Sequence, residues 1–170
     1  MNPYFQQCCL MIFVRKTPND LTIQHQELAK IIAGFPIHVQ LFYEDLNAKA
    51  DAITSLSEER ILLKSASPYQ QLTDAFHQAF EKGFRKVVML ESEVAGLLPK
   101  HLEEAFFSLK ILEFSLGPRK NGGLYLLGMK QYEPLLFQDQ LNNPELLSKT
   151  LIRNMGVLKM ALYKLPFSEN

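Results

Sequence analysis

This sequence has no excess of charge of either sign, almost no cysteine and no long apolar run. Its 18 basic and 18 acidic residues give a formal net charge of zero. Because binding to DNA or RNA depends on a clustered basic surplus that neutralises phosphates, we expect no nucleic-acid partner. No apolar stretch approaches the roughly 20 residues that cross a bilayer, and no basic stretch precedes an apolar segment near Met1. We therefore expect neither a membrane span nor a signal peptide.

Cys8 and Cys9 are the only cysteines, and they are adjacent. Neighbours in sequence are poorly placed for a disulfide, and on a strand their side chains point to opposite faces. A redox or soft-metal pair would need a further cysteine or a histidine nearby, and none is present. The pair is therefore interpreted as buried packing residues in a reduced, cytoplasmic protein.

Alternating strand and helix patterns predict an α/β fold in one domain, residues 1–170. The strands are predicted over Cys8–Val14, 37–42, 60–63, 86–90, 111–116 and Leu124–Met129. Helices are predicted over residues 21–33 and 69–82, from Pro99 onward, and from 143–145 to a stop at Gly156. Residues 157–165 alternate and predict an edge strand or a last short helix. Such repeated βα units indicate a mostly parallel sheet between helices.

Ligands of open α/β sheets bind beyond the carboxyl ends of the strands, and three segments are predicted there. Arg15 and Lys16 follow the first strand and could hold a phosphate, although two cations at a strand end are also typical of solvated surface. Glu91 and Glu93 flank Ser92 after the fourth strand. On an extended segment both carboxylates share one side, where they could hold a divalent cation or remain exposed.

The third segment at this end is the turn Gly117, Pro118, Arg119, Lys120, Asn121, Gly122 and Gly123. Asn-Gly-Gly permits positive φ, and glycines allow a backbone to approach a ligand closely. A plain hairpin turn would use the same residues without any ligand.

Other catalytic patterns are absent from the sequence. The four histidines share no short spacing, so no zinc motif results. No Gly-x-Ser-x-Gly elbow, Walker loop or Gly-x-Gly-x-x-Gly fingerprint occurs, and nothing marks a base for Ser92. Nucleophilic catalysis therefore has little support. The polar stretch 45–58 is interpreted as solvated surface.

These segments resemble, in order, a bacterial family of GT-A-type glycosyltransferases formerly described as a domain of unknown function. The family is similar to molybdenum-cofactor nucleotidyltransferases and to nucleotide-diphospho-sugar transferases. Its Gly-Pro-x-x-Asp-Gly-Gly-Tyr-Tyr-Leu-Leu-Gly motif is matched from Gly117 to Gly128, and its Gly-Ser-Asp-x-Pro-x-Leu loop by residues 91–97. Further matches are Phe13, Val14 and Arg15, and the helix pattern of Ala75, Phe76, Ala79, Phe80 and Gly83.

The resemblance implies a three-layer α/β/α Rossmann-like fold of the GT-A type and a site for a nucleotide or nucleotide sugar. The residues that it assigns to substrate are Arg15, Gly117, Arg119, Asn121, Gly122 and Gly123. It assigns Glu93 to the metal, which would be manganese or magnesium if the domain is active.

The departures from the family pattern lie at the residues that would bind the metal and the phosphates. Where the family has Pro-Gly-Lys-x-Lys-Thr-Arg-Leu, residues 17–26 contain no lysine or arginine. Glu93 replaces the metal-binding aspartate, Asn121 replaces the aspartate before the paired glycines, and the closing Asp-Val-Asp is missing. Because transfer from a diphosphate needs cations on the leaving phosphates, these losses predict a non-catalytic binding or regulatory module.

Two alternatives stay open. The domain could be an active transferase with an altered donor site that uses Glu93 with a metal and Arg15, Lys16, Arg119 or Lys120 on phosphate. It could instead pair, as a homodimer or with an intact paralogue, through apolar residues near its end, which are equally suited to the core. Those residues are Leu158, Met160, Leu162, Tyr163, Leu165 and Phe167.

Overall fold

The computed structural model describes residues 5–15, 22–45, 52–57, 59–65, 67–138, 144–166 and 168. The strands are β1 (Cys8–Val14), β2 (His38–Tyr43), β3 (Arg60–Leu62), β4 (Lys86–Glu91), β5 (Phe114–Pro118), β6 (Leu124–Met129) and β7 (Leu162–Lys164). The helices are α1 (Thr22–Ala33), α2 (Pro68–Glu81), α3 (Pro99–Ser108) and α4 (Leu147–Val157). Lys16, Leu21, Asn143 and Phe167, which entered the sequence predictions, lie outside the described residues.

One sheet holds all seven of these strands in the order β3-β2-β1-β4-β6-β5-β7. Strands β1, β2, β3 and β4 pair in parallel, and β7 pairs in parallel with β5. Only β6 runs against its neighbours β4 and β5. The predicted mostly parallel sheet is confirmed.

Helices cover both faces of the sheet, so the fold is the predicted three-layer α/β/α Rossmann-like arrangement. Alternate residues of β1 enter opposite cores: Leu10 and Ile12 pack with α1 and α3, and Met11 and Phe13 pack with α2 and α4. Every residue of β1 is buried, which is why its sequence is a continuous apolar run rather than an alternating one.

The two cysteines follow the same alternation. Cys8 belongs to the core under α1 and α3, and Cys9 belongs to the core under α2 and α4. Both are fully buried and neither forms a disulfide. Burial raises the pKa of the Cys8 thiol to about 11 and raises that of Cys9 further. The predicted role as packing residues is confirmed.

Most boundaries differ from the predictions by one or two residues, and the fifth strand and the last helix differ in instructive ways. The fifth strand begins at Phe114, because Ile111 lies in the turn after α3 with 79% of its surface exposed. Helix α4 continues through Gly156 to Val157 and is preceded by a short 3-10 turn, Pro144–Leu146. Pro99 opens α3, and the segment after α4 forms the edge strand β7, both as predicted.

The last described segment packs against the body of the domain. Leu165 is buried, whereas Met160, Leu162 and Tyr163 are partly buried against the two cores. Among the residues described here, no helix is both long and apolar enough to cross a membrane.

Candidate functional site

The polar segments predicted from the sequence meet at the carboxyl end of the sheet, where β1, β2 and β4 finish. The antiparallel strand β6 lies beside β4, so the turn that joins β5 to β6 reaches the same end. The charges of Arg15, Glu93 and Arg119 all act on Glu91, the last residue of β4. The strand-end rule therefore predicted the gathering of these groups.

Arg15 leaves the end of β1 and is held by three side chains from three other elements. Its Nε and Nη2 donate to the two carboxylate oxygens of Glu91 at 3.3 and 3.1 Å. Its Nη1 donates to Glu44 Oε1 at 2.9 Å and to Gln71 Oε1 at 2.6 Å. A guanidinium has five N–H groups, and these contacts use four of them.

This arrangement neutralises Arg15 inside the protein. Its side chain is 25% exposed, against 13% for Glu91 and 34% for Glu44. Burial lowers the pKa of Arg15, but the two carboxylates outweigh burial and leave that pKa raised. Burial raises the pKa of Glu91, and Arg15 opposes that rise. Arg15, which could hold a phosphate, thus pairs here with two glutamates, of which Glu91 is nearly buried.

The carboxylates at this end do not fit a divalent cation well. Glu91 already spans the guanidinium with both oxygens, and a second cation beside Arg15 would be repelled. Glu93 is partly exposed on the following loop. Within the described ranges, no three His, Cys, Asp or Glu side chains group as metal ligands. Magnesium often binds proteins through one or two carboxylates together with waters and substrate phosphates, and of these two carboxylates only that of Glu93 is left for such a role.

Arg119 fastens the β5–β6 turn to the loop after β4. Its Nη2 donates to the main-chain oxygen of Glu93 at 3.1 Å, and its Nε donates to the carbonyl of Leu124 at 3.3 Å. These contacts fix the backbone at Glu93 while that residue's carboxylate stays partly exposed. Arg119 therefore has a structural role in addition to the substrate role that the sequence predicts for it.

The Asn-Gly-Gly turn is closed by its own hydrogen bonds and by the start of α4. Asn121 Oδ1 accepts from the Gly123 N–H at 3.0 Å, and the Arg119 N–H donates to the Gly123 carbonyl at 2.9 Å. The Gly122 carbonyl accepts from Ser148 twice, from its N–H at 3.0 Å and from its hydroxyl at 2.7 Å. Ser148 lies in the first turn of α4, so this carbonyl caps a helix that has no side-chain cap of its own.

Two glycines of the motif are required by close packing. Gly122 has φ +92°, and a Cβ there would lie 1.7 Å from the carbonyl oxygen of Glu145. A Cβ on Gly117 would lie 2.4 Å from the ring of Tyr125, whose hydroxyl donates to the Pro166 carbonyl at 3.0 Å. Both glycines therefore serve the fold, whether or not a ligand also approaches them.

A cleft of about 160 Å³ opens between the end of β3 and α2. Its polar wall includes Gln71, Asp74 and Ser65. Gln71 donates to the Ser65 carbonyl at 2.7 Å while accepting from Arg15, and the Ser65 hydroxyl donates to Asp74 at 3.0 Å. The cleft is therefore linked to the Arg15 cluster through a single amide side chain.

The sequence predictions did not include Glu44 or Gln71. Glu44 follows the last residue of β2, so the strand-end rule that selected Arg15 and Glu91 also indicates Glu44. Gln71 is a buried residue of α2, and its sequence pattern carries no comparable signal.

Several solved structures share this fold at low sequence identity. One is a "putative nucleotide-diphospho-sugar transferase" from Desulfovibrio desulfuricans G20, with 16% identity, a TM-score of 0.79, and coverage of 95% of this chain and 80% of that chain. A cytidylyltransferase from Leptospira borgpetersenii serovar Hardjo-bovis (strain JB197) has 12% identity, a TM-score of 0.66, and coverage of 95% and 76%. A CMP:2-keto-3-deoxy-manno-octonic acid synthetase complexed with CTP has 9% identity, a TM-score of 0.61, and coverage of 95% and 90%. Such identities establish the fold alone.

None of the curated proteins compared with this chain matches it. A family model does match, over residues 28–141, which is more than half of the chain. The chain thus belongs to the bacterial family described as "Uncharacterized protein conserved in bacteria (DUF2064)", whose fold here is that of nucleotide-diphospho-sugar transferases and cytidylyltransferases.

Proposed function

We propose that residues 1–170 form one GT-A-like domain with a degraded metal and phosphate site, which acts as a non-catalytic binding or regulatory module. The observation that carries this proposal is the pairing of Arg15 with Glu91 and Glu44. Transfer of a glycosyl or nucleotidyl group from a diphosphate needs cations that stabilise charge on the leaving phosphates. Arg15 is compensated by two carboxylates before any ligand arrives.

The other replaced residues support the same conclusion. Asn121 directs its side-chain oxygen into the turn, where it accepts from the Gly123 N–H. Glu91 is bound to a guanidinium rather than turned toward Glu93 as a second metal ligand. Glu93 would then be a single carboxylate ligand, and a divalent ion would have to take its other ligands from water and from the substrate.

The ligand that we propose is a nucleotide or nucleotide sugar held without a metal ion. Its binding surface would include the turn residues Gly117, Arg119, Asn121, Gly122 and Gly123 together with Arg15. One structure of the same fold is complexed with CTP, which supports a nucleotide as the first class to test. The cleft beside β3 opens next to Gln71, so a ligand spanning the cleft and the turn would pass Arg15.

A second candidate is an active transferase that carries manganese or magnesium on Glu93. The observation in its favour is that the Glu93 backbone is fixed by Arg119 while its carboxylate is partly exposed at the carboxyl end of the sheet. In either case we propose a cytoplasmic location, because the two buried thiols are reduced.

Thermal unfolding with nucleotides and nucleotide sugars, each with and without manganese, tests the two candidates. A ligand at 100 times its dissociation constant adds about 2.7 kcal/mol, which raises the midpoint by about 5–10 °C for a domain of this size. We expect any shift to be independent of metal. A shift that requires manganese, and that Glu93→Ala abolishes while the exposed control Glu103→Ala retains it, would establish the second candidate instead.

A further inference from the structure

Glu44 is the exposed member of the group that holds Arg15. Its carboxylate lies 2.9 Å from Arg15 Nη1 with 34% of the side chain exposed, whereas Glu91 is 13% exposed. Gln71, the other partner of Nη1, is buried and anchored through its own amide to the Ser65 carbonyl. Of the three partners, only Glu44 can leave Arg15 without exposing or stranding a buried polar group.

The position of Glu44 is the one that an anionic ligand would need. Nε and one N–H of Nη2 face the nearly buried Glu91, so a ligand that displaces the exposed partner of Arg15 meets the guanidinium at Nη1. A carboxylate oxygen and a phosphate oxygen accept the same charge-assisted hydrogen bond from a guanidinium. Glu44 therefore occupies Arg15 as a phosphate oxygen would.

We infer that Glu44 is a specificity-determining residue that excludes phosphate groups from Arg15. This inference rests on the proposed function, because it concerns the same binding surface. With Arg15 at +1 and Glu44 and Glu91 at −1 each, the cluster carries a net charge of −1, so an arriving anion is repelled. The preferred ligand presents an uncharged group, such as a sugar or nucleoside hydroxyl, at Arg15 and keeps its phosphates elsewhere.

The inference predicts a gain of anion binding when Glu44 is changed. Glu44→Gln keeps the shape of the side chain and brings the cluster to zero charge, whereas Glu44→Ala also removes the competing acceptor. We expect inorganic pyrophosphate to bind about threefold tighter to Glu44→Gln than to the unchanged protein, and about fivefold tighter to Glu44→Ala. These factors are what one partly exposed ion pair is worth.

Isothermal titration with inorganic pyrophosphate in metal-free buffer measures these affinities on the full chain. Glu59→Gln is the matched control, because Glu59 is 36% exposed, is paired with Lys82, and precedes β3 at the opposite end of the sheet. It changes net charge by the same amount, and its affinity should stay within twofold of the unchanged protein. Glu44→Ala combined with Arg15→Gln should lose the gain, since glutamine has no positive charge to hold pyrophosphate.

Equal affinities in all variants, no detectable binding in any of them, or a gain that survives Arg15→Gln would each overturn the inference. The proposed function fails by a different result, a manganese-dependent shift with a nucleotide. Because the pyrophosphate titration contains no metal, the two failures are distinguishable.

Discussion

Replacing Gly122 by alanine tests whether the glycine motif is held by the fold. The residue has φ +92°, and the added Cβ would lie 1.7 Å from the Glu145 carbonyl oxygen, a backbone atom that cannot rotate away. Gly83, after α2, has the same φ of +92° with nothing within 4 Å of an added Cβ. Gly83→Ala is therefore a matched control that carries the conformational cost without the collision.

The conformational cost common to both variants is about 1–2 kcal/mol, the penalty for an L-residue in the left-handed region. In Gly122→Ala the start of α4 must also move, which breaks the two hydrogen bonds from Ser148 to the Gly122 carbonyl. Each contributes about 0.5–1.5 kcal/mol. We therefore expect Gly122→Ala to lower the free energy of unfolding by about 1–3 kcal/mol more than Gly83→Ala.

Urea unfolding followed by circular dichroism gives both free energies, and thermal unfolding should place the Gly122 variant about 2–12 °C below the Gly83 variant. If the two variants agree within about 0.5 kcal/mol, the contact between the turn and α4 contributes nothing. The motif would then need another explanation, and close approach to a ligand would be the first to consider.

Three further measurements probe the core and the surface. An added Cβ at Gly128 would lie 2.1 Å from Ser115 Oγ, so Gly128→Ala should lower the free energy of unfolding by about 1–3 kcal/mol. Adding Ser115→Ala to that variant should recover part of the lost stability, because it removes the atom that the new methyl group meets. If the effects of the two substitutions were strictly additive in a double-mutant cycle, the contact would be contradicted. Cys8 and Cys9 should resist a thiol reagent in the folded protein and react only in denaturant, because burial raises the pKa of both thiols. If the folded protein reacted as fast as a small exposed thiol, this expectation would be contradicted. A hydrogen bond from the Ala161 backbone N–H holds the pKa of Glu113 below its usual range. Glu113 should therefore contribute less than about 1 kcal/mol to the free energy of unfolding. This contribution should be present above the unfolded pKa near 4.5 and vanish as pH falls through the folded pKa. Comparison of unfolding free energies of the unchanged protein and Glu113→Gln across that range checks the sign, and a difference that grows toward acid would refute it.

Much of the fold was predictable because its strands are buried on both faces. The uninterrupted apolar stretches of β1 and β6 predicted the boundaries of these two strands correctly, since every residue in each strand is buried. The start of β5 was predicted three residues early, because Ile111 is apolar but exposed, and a sequence pattern cannot separate these two properties. Gly156 did not stop α4 because a helix near its end tolerates a glycine at modest cost.

The candidate site was predictable in its location but not in its electrostatics. Strand ends placed Arg15 and Glu91 together, although 76 residues separate them. Whether Arg15 would be available to a phosphate depended on Glu44 and on Gln71, a buried helical residue with no distinguishing pattern. Charge balance within a cluster depends on tertiary distances of a few ångströms, and sequence spacing does not contain them.

The contacts of Ser168 have a practical consequence for how this protein is prepared. Its N–H donates to the Pro118 carbonyl at 3.0 Å, and its own carbonyl accepts from the Lys120 N–H at 3.2 Å. A purification tag joined after this residue would therefore emerge beside the β5–β6 turn and could mask the surface being assayed. The 3-10 turn Phe5–Gln7 precedes β1 at the opposite end of the sheet. An affinity handle placed ahead of that turn leaves the binding surface clear for every titration proposed above.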